Sequence, residues 1–318
     1  MTVTIHKGDC RKVLPMLPAE SVHCVVTSPP YFGLRDYGTA GQIGLEPTPD
    51  AFVGEMVAVF HDVRRVLRPD GTCWLNLGDS YAGSGMTGGT NGMQGRSDLV
   101  EKMFHGHRRE AIPGLKQKDL IGIPWRVAFA LQADGWYLRQ DIIWSKPNPM
   151  PESVRDRCTK AHEYIFLMSK SERYHYDADA IAETAKWADD NRADKGRLTY
   201  DGKRQGAVGT GNEAFVVISE TRNKRSVWEV ATQPFSEAHF ATFPPALIEP
   251  CILAGCPRGG TVLDPFGGAG TTGLVADRVG RDAILIELNP EYAAMAERRI
   301  KDDAPLFAEV IEAEEVTP

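Results

Sequence analysis

Short apolar runs recur along the chain, and most of them are rich in the β-branched and aromatic residues that favour strands. Polar, glycine or proline residues bound these runs, and segments with helical spacing lie between several of them. Seven runs predict β-strands: residues 3–6, 22–27, 72–77, 140–144, 164–168, 261–263 and 283–286. Strands that alternate with helices are typical of a doubly wound α/β fold, so we expect a mostly parallel sheet of seven strands.

A long helix is predicted over residues 49–67. Its apolar residues recur every three or four positions, as expected of a helix with one face in the core. These residues are Phe52, Met56, Val59, Phe60, Val63 and Leu67. The spacing predicts core packing for this face and implies no chemistry.

Two segments interrupt the alternation of strands and helices. Residues 81–98 contain six glycines and few apolar residues, which predicts either a lid that orders over a ligand or a plain flexible connection. Residues 174–225 mix basic residues with a glycine-rich stretch and predict a recognition insert. We therefore expect one catalytic domain in three parts with two inserts and an acidic tail. The parts are 1–80, 120–173 and 226–303, the inserts are 81–119 and 174–225, and the tail is 304–318.

The composition fits a globular chain that buries a substantial core, since 42% of its 318 residues are hydrophobic. No apolar run approaches the length of a membrane span, and the first residues lack the features of a signal peptide. The six cysteines, at positions 10, 24, 73, 158, 251 and 256, include no CxxC pair. We expect mostly buried, reduced cysteines, no metal site, no membrane partner and a cytoplasmic location.

The formal charge of -7 is unevenly distributed along the chain. Residues 301–318 carry one basic residue against six acidic ones, whereas residues 96–118 carry six basic against three acidic and residues 186–225 carry nine against six. Positive charge is thus concentrated in the inserts, where nucleic acid phosphates could be bound. A solvated surface of mixed charge explains the same counts, and charge alone slightly favours that interpretation. The acidic end itself predicts a frayed, solubilising tail.

Residues 27–31 read Thr-Ser-Pro-Pro-Tyr and end the predicted strand at 22–27. Because proline fixes its own φ and favours extended geometry in the preceding residue, this strand end should be stiff. The Ser28 hydroxyl and the Pro29 carbonyl are two acceptors that can converge on one amine, and the Tyr31 ring can stack on a planar ring. Taken alone, Pro-Pro-Tyr favours a polyproline turn with a surface tyrosine.

A glycine-rich loop follows the predicted strand at 261–263. Gly268, Gly270 and Gly273 have G-x-G-x-x-G spacing, which lets the backbone approach a ligand and opens a helix near Thr271. The next strand ends at Glu287, whose carboxylate can accept both hydroxyls of a ribose. A nicotinamide enzyme has the same spacing, whereas the lack of Gly-Lys-Ser/Thr after these glycines argues against a phosphate-binding P-loop.

Together the two motifs resemble those of the DNA amino-methyltransferases. Residues 28–31 are similar to the catalytic tetrapeptide of that family, and residues 264–270 to its S-adenosylmethionine loop. The tetrapeptide precedes the loop, which is the order of the β arrangement. The resemblance implies a Rossmann-like methyltransferase fold with circularly permuted motif order, in which Ser28 and Gly268 follow neighbouring strands.

Other segments fit the same family. Residues 239–244 resemble the stretch that holds the methionine end of the cofactor, and Asp9 resembles the acid that contacts its adenine amino group. Residues 143–149, with His162 and Glu163, resemble a stretch that borders the base pocket. The resemblance covers both ends and the centre of the chain and leaves the two inserts unmatched.

The resemblance implies three sets of site residues. The catalytic residues are Ser28, Pro29, Pro30 and Tyr31. The residues that bind S-adenosylmethionine are Asp9, Thr242, Phe243, Asp264, Pro265, Phe266, Gly268, Gly270, Thr271, Thr272 and Glu287. The residues that contact double-stranded DNA are Arg108, Arg109, Lys146, Asn148, Lys203 and Arg204.

The implied reaction is methylation of an exocyclic amine on a base flipped out of duplex DNA. Serine at position 28, where many adenine enzymes of the family carry aspartate, favours N4 of cytosine over N6 of adenine. Protein-glutamine methylation and an inactive DNA-binding relative are the other interpretations. A second copy of the chain and a cognate restriction endonuclease are the protein partners that the resemblance leaves open.

Overall fold

The computed structural model describes residues 1–34, 36, 38–83, 114–185, 221–233, 242–303 and 309–313. Most of the predicted insert at 81–119 and of the insert at 174–225 lies outside these ranges. So do four of the residues predicted to bind DNA: Arg108, Arg109, Lys203 and Arg204.

A nine-stranded sheet forms the centre of the molecule, and a separate ribbon of two short strands accompanies it. The strands are β1 (Thr2–Lys7), β2 (Val22–Thr27), β3 (Leu67–Leu77), β4 (Tyr137–Ser145), β5 (His162–Ser169), β6 (Glu183–Thr184), β7 (Thr221–Arg222), β8 (Val227–Glu229), β9 (Thr261–Asp264), β10 (Asp282–Glu287) and β11 (Glu309–Ala313). Their order in the large sheet is β11-β1-β10-β9-β2-β3-β5-β4-β8, and β6 pairs with β7.

All seven predicted strands are present, and the mostly parallel sheet is confirmed. Only β5 runs against its neighbours, β3 and β4, within the large sheet. Two short edge strands, β8 and β11, raise the number from seven to nine. The carboxyl ends of the central strands β9, β2 and β3 therefore lie along one edge of the sheet.

Helices cover both faces of the sheet. They are α1 (Cys10–Val13), α2 (Pro49–Val66), α3 (Ile123–Ala133), α4 (Pro245–Gly255), α5 (Thr271–Arg278) and α6 (Pro290–Asp303). Alternate residues of β3 separate the two cores: Cys73, Leu75 and Leu77 face α1 to α3, whereas Trp74 packs with residues of α4 to α6. This period of two is expected of a strand buried on both faces, and the doubly wound arrangement is confirmed.

The predicted long helix is confirmed as α2. The Thr48 hydroxyl accepts a hydrogen bond from the Ala51 N–H at 3.1 Å, and Pro49 occupies the first turn, where no intrahelical donor is needed. The helix ends at Val66, because Leu67 already has extended geometry and begins β3. Its apolar face is fully buried in the core.

The acidic tail differs from its prediction. Residues 309–313 form β11, which pairs in parallel with β1 from Thr2 to His6. The Thr2 hydroxyl also donates to the Glu309 carboxylate at 3.1 Å. An edge strand buries little surface and tolerates charge, so its acidic composition concealed a strand within a segment that we expected to fray.

The first residues of the segment predicted as a recognition insert pack against the large sheet. Tyr176 stacks against Trp74 of β3, with ring centroids 6.3 Å apart, and Ile181 is buried in the core beneath α4. Tyr176 and Ile181 therefore contribute to the core of the large sheet. The aromatic and basic composition predicted a surface insert. The packing depends on single residues, Tyr176 and Ile181, which leave no periodic apolar pattern in the sequence.

Within the described ranges, no helix combines the length and apolar character needed to cross a membrane. Those ranges also contain no group of three or more His, Cys, Asp or Glu side chains arranged to hold a metal ion. Five of the six cysteines are buried as free thiols, and Cys158 is exposed.

Candidate active site

The two predicted motifs meet at the carboxyl ends of adjacent strands. β2 and β9 are parallel neighbours, with Cys24 opposite Val262 and Val25 opposite Leu263. The tetrapeptide that follows β2 and the glycine loop that follows β9 therefore emerge side by side. This confirms the predicted neighbourhood of Ser28 and Gly268, at the sheet edge where open α/β folds bind ligands.

The carboxylate of Asp264 links these two strand ends through hydrogen bonds. One carboxylate oxygen accepts hydrogen bonds from the Thr27 hydroxyl at 2.6 Å and the Phe266 N–H at 3.1 Å, and the other accepts from the Thr272 hydroxyl at 2.6 Å. Burial raises the pKa of Asp264 to about 6, although these donors lower it. Asp264 and Thr272 thus face the protein interior, where they hold the loop in shape.

The glycine loop requires left-handed backbone geometry at two positions. Gly268 has φ +50° and Gly270 has φ +75°, a region that side chains other than glycine rarely adopt. A Cβ at Gly270 would lie 2.7 Å from the Ala296 Cβ, so the loop packs directly on α6. A Cβ at Gly268 would have no neighbour closer than 3.9 Å, so the space beside it is open to a ligand.

Arg299 of α6 stabilises the same loop through two hydrogen bonds. Its guanidinium donates to the Ala269 carbonyl at 3.0 Å and to the Thr271 hydroxyl at 2.9 Å. Burial lowers the pKa of Arg299. Thr271, predicted to contact the cofactor, is itself buried at the start of α5.

Glu287 stands at the end of β10, next to the glycine loop. Its two carboxylate oxygens accept from the Gly268 N–H at 2.7 Å and from the Asn289 N–H at 2.8 Å. Burial raises the pKa of Glu287, while the backbone donors lower it. These backbone donors orient the carboxylate and leave it acceptor capacity for a ligand hydroxyl.

Asp9 follows β1 beside this carboxylate, since the Gly8 N–H donates to the Glu287 carbonyl at 2.9 Å. The Arg11 guanidinium donates to both carboxylate oxygens of Asp9, and the distance from Arg11 Nη2 to Asp9 Oδ2 is 2.7 Å. The pKa of Asp9 is lowered despite a raising effect of burial, because Arg11 supplies hydrogen bonds and positive charge. Arg11 was missed by sequence reasoning, which had no signal for this pair beyond proximity in the chain.

The remaining predicted cofactor residues differ in exposure. Pro265 is buried, and Phe266 packs partly against the core on the α1 to α3 side. Phe243 packs against the opposite core, and its neighbour Thr242 is half-buried. The structure thus places 242–243 on the α4 to α6 side of the sheet and 265–266 at the glycine loop.

Tyr31 is held by side chains from three different strand ends. Its hydroxyl donates to the Glu163 carboxylate at 2.6 Å and lies 3.3 Å from the Asn76 amide oxygen. The Ser28 hydroxyl donates to the Tyr31 oxygen at 3.5 Å. Pro29 is buried and Pro30 half-buried, as expected of a stiff strand end.

Sequence reasoning missed Asn76 and Gly78 as site residues. Asn76 is a buried amide within the apolar end of β3, a polarity that was an available signal. Gly78 lies against the Tyr31 ring, because a Cβ there would come within 2.5 Å of Tyr31 Cε2. The next residue, Asp79, fixes the chain here, because its carboxylate accepts from the Gly122 and Ile123 N–H groups at 3.0 and 3.1 Å.

The two described residues predicted to bind DNA lie in different settings. Lys146 forms an ion pair with Glu163, and its ammonium lies 4.2 Å from the centroid of the Trp144 ring. Asn148 is exposed, and its amide exchanges two hydrogen bonds with the Thr232 backbone, at 2.9 and 3.2 Å. Lys146 therefore belongs to the tyrosine network, whereas Asn148 ties the 143–149 segment to the chain after β8.

The site fits a nucleoside-containing ligand. Open space lies beside Gly268, an oriented carboxylate ends β10, and a second acid follows β1. Polar acceptors and an aromatic ring converge at the neighbouring strand end. The fold and this pair of adjoining sites match what the resemblance to the DNA amino-methyltransferases implies.

The chain belongs to the N6/N4 DNA methylase family, which it matches over residues 22–298. It is 47% identical over 293 residues to the type II methyltransferase M.SmaI of Serratia marcescens, covering 92% of this chain and 89% of that protein. It is 49% identical over 298 residues to the type II methyltransferase M.XycI of Xanthomonas campestris pv. cyanopsidis, covering 94% of this chain and 87% of that protein.

Solved structures show the same fold. The TTHA0409 protein of Thermus thermophilus, solved with S-adenosyl-L-methionine, is 26% identical with a TM-score of 0.58, over 97% of this chain and 99% of that one. The cytosine-N4-specific PvuII DNA methyltransferase is 20% identical with a TM-score of 0.61, over 98% of this chain and 96% of that one. The predicted family, fold class and cofactor are thus confirmed.

Proposed function

We propose that this chain methylates N4 of a cytosine that is flipped out of duplex DNA. The observation that carries the proposal is the place of the Ser28-Pro29-Pro30-Tyr31 tetrapeptide, directly beside the glycine loop on a neighbouring parallel strand. An amine held by the tetrapeptide and a cofactor held by the loop would share one crevice. Serine at the first position favours cytosine over adenine.

Ser28 would act as an acceptor for the substrate amine. Its hydroxyl donates weakly to the Tyr31 oxygen at 3.5 Å, so its lone pairs would accept from an incoming amine. Together with the Pro29 carbonyl, it would accept both amine hydrogens and favour a tetrahedral nitrogen. The nitrogen lone pair, otherwise delocalised into the base, then becomes available for attack.

The cofactor supplies an electrophilic methyl group when bound. Gly268 and Gly270 would let the backbone approach it, Glu287 would accept its ribose hydroxyls, and Asp9 would lie toward its adenine end. Tyr31 would stack on the flipped base and hold its plane. Because transfer is direct, none of the buried thiols needs a catalytic role.

Contacts with the DNA backbone are proposed for the basic inserts. Arg108, Arg109, Lys203 and Arg204 carry this expectation, together with Lys146 and Asn148 nearer the pocket. Neutralising phosphates gives salt-dependent affinity without sequence preference. A homodimer and a cognate restriction endonuclease stay predictions.

The target base is tested by expressing the chain in a host strain that lacks DNA methylation. Host DNA is digested to nucleosides and analysed by mass spectrometry. The proposal predicts N4-methylcytosine, and its loss on Ser28→Ala. N6-methyladenine alone would overturn the assignment to cytosine, and the absence of both methylated nucleosides would overturn DNA methylation as the activity of this chain.

A further inference from the structure

The hydroxyl of Tyr31 is bound to a carboxylate outside the catalytic tetrapeptide. Its oxygen lies 2.6 Å from Glu163 Oε2, the shortest of its three described polar contacts. The others are Asn76 Oδ1 at 3.3 Å and the Ser28 hydroxyl at 3.5 Å. A phenol that donates to a carboxylate forms a charge-assisted hydrogen bond, so Glu163 is its dominant partner.

Glu163 is itself fixed by two further donors. Lys146 forms an ion pair with its other oxygen, Oε1, and the side chains of the two residues are only 17% and 15% exposed. The Asn76 amide donates to Glu163 Oε2 at 3.3 Å and to the Tyr164 carbonyl at 3.1 Å. The carboxylate therefore has one oxygen for the lysine and one for the tyrosine.

The cation of this network is also held in place. The Lys146 ammonium lies 4.2 Å from the centroid of the Trp144 ring, within the range of a cation–π contact. Lys160, the other lysine close to Glu163, donates to the Asp79 carbonyl at 2.7 Å. Lys146 is thus the cation that pairs with Glu163 among the described residues.

The Tyr31 ring is constrained at its side as well as at its hydroxyl. A Cβ at Gly78 would come within 2.5 Å of Tyr31 Cε2, so the backbone after β3 abuts the ring. This steric contact and the hydrogen bond to Glu163 together restrict the orientation of the ring. A ring fixed before the base arrives loses little freedom when it stacks.

We infer that Glu163 is a positioning residue that fixes the plane of Tyr31 for stacking on the flipped base. Lys146 pairs with the carboxylate and keeps it in place. The inference rests on the proposed role of Tyr31 in base capture. It does not depend on whether the base is cytosine or adenine, since both present a face to the ring.

The first test uses Glu163→Gln, Tyr31→Phe and the double variant in single-turnover methyl transfer at saturating cofactor and DNA. Each single change should slow transfer about tenfold, the size of one lost charge-assisted hydrogen bond. The double variant should be no slower than Tyr31→Phe, because Glu163 then has no hydroxyl to hold. Multiplied losses of about a hundredfold would show that Glu163 acts by another route and overturn the inference.

A rescue separates positioning from a purely structural role. In Glu163→Gln the amide has only one oxygen, for which the Lys146 ammonium and the Tyr31 hydroxyl compete. Adding Lys146→Met removes the competitor. At saturating DNA, where loss of the DNA contact proposed for Lys146 does not limit the rate, Glu163→Gln/Lys146→Met should transfer methyl groups several-fold faster than Glu163→Gln alone. A double variant that is as slow as Glu163→Gln or slower would contradict the inference.

Base capture is read directly from 2-aminopurine placed at the target position of a duplex. With wild-type protein, the fluorescence decay should contain a component quenched by stacking on Tyr31, and Glu163→Gln should reduce this component while calorimetry shows unchanged cofactor binding. An unchanged signal with slower transfer would overturn the role in stacking. If wild-type protein neither flips the base nor methylates DNA, the proposed function fails, which is a different result from failure of the Glu163 variants alone.

Discussion

At the scale of the residue, three buried or half-buried carboxylates perform different tasks at one sheet edge. Asp264 faces inward and joins β2, β9 and α5, whereas Glu287 is oriented by backbone donors and faces the open space beside Gly268. Glu163 binds the hydroxyl of Tyr31. The direction of each carboxylate, set by its donors, thus separates structural from functional acids.

The buried carboxyl of Asp264 should make stability depend on pH. Its pKa in the folded chain is about 6, above the ordinary value of 3.8, because burial disfavours the charged form. The folded state therefore binds this proton more tightly than the unfolded state. The resulting stability is complete below pH 3.8 and is lost as the pH rises through about 6, a change of about 3 kcal/mol.

Asp264→Asn isolates this effect. Relative to wild type, its free energy of unfolding should be about 2 kcal/mol larger at pH 7 than at pH 4, whatever constant loss the altered hydrogen bonds cause. Denaturant unfolding at several pH values measures the difference. Asp302→Asn, at an exposed position in the last turn of α6, is the control. Parallel pH profiles for wild type and Asp264→Asn would contradict the prediction.

At the scale of the element, the glycine loop between β9 and α5 combines packing and openness at neighbouring positions. Gly270→Ala should destabilise the fold by about 2–5 kcal/mol, because it adds left-handed strain and a clash with Ala296. Gly268→Ala adds only the strain, about 1–2 kcal/mol, since its Cβ meets open space. The same Cβ would instead obstruct the cofactor.

Denaturant unfolding and cofactor calorimetry distinguish these two substitutions. We expect Gly270→Ala to lose stability and Gly268→Ala to remain folded but bind S-adenosylmethionine more weakly. The two variants act as controls for each other, because both place alanine at positive φ in one loop. Equal losses of stability, or normal cofactor affinity in Gly268→Ala, would contradict the structural assignment of the loop.

Sequence patterns predicted most of the elements, for a physical reason that differs between them. The core strands and α2 bury apolar faces, so their periodicity identifies them, and Pro49 and Thr48 mark the start of the helix. The edge strand β11 buries little, and its acidic residues predicted a tail. Tyr176 and Ile181 likewise pack singly on the core and gave no periodic signal.

At the scale of the whole molecule, the order of the motifs predicted that Ser28 and Gly268 would be neighbours, because the topology of the family fixes it. The contact between Tyr31 and Glu163 spans 132 residues and was not predictable, since it depends on β5 running against β3. Asn76 is a polar residue within an apolar strand, but its contact with Tyr31 could be recognised only once the pairing of β3 with β5 was known. The expected DNA contacts in the two inserts lie outside the described residues.

The central claim is that adjacent strand ends form one site for transfer from the cofactor to cytosine N4. Purified protein, unmethylated duplex DNA and S-adenosylmethionine with a trideuterated methyl group test it most directly. Digestion to nucleosides and mass spectrometry should reveal N4-methylcytosine with all three deuterons, and Ser28→Ala should leave almost none. Label found only on adenine N6, or no label in DNA despite bound cofactor, would contradict the account.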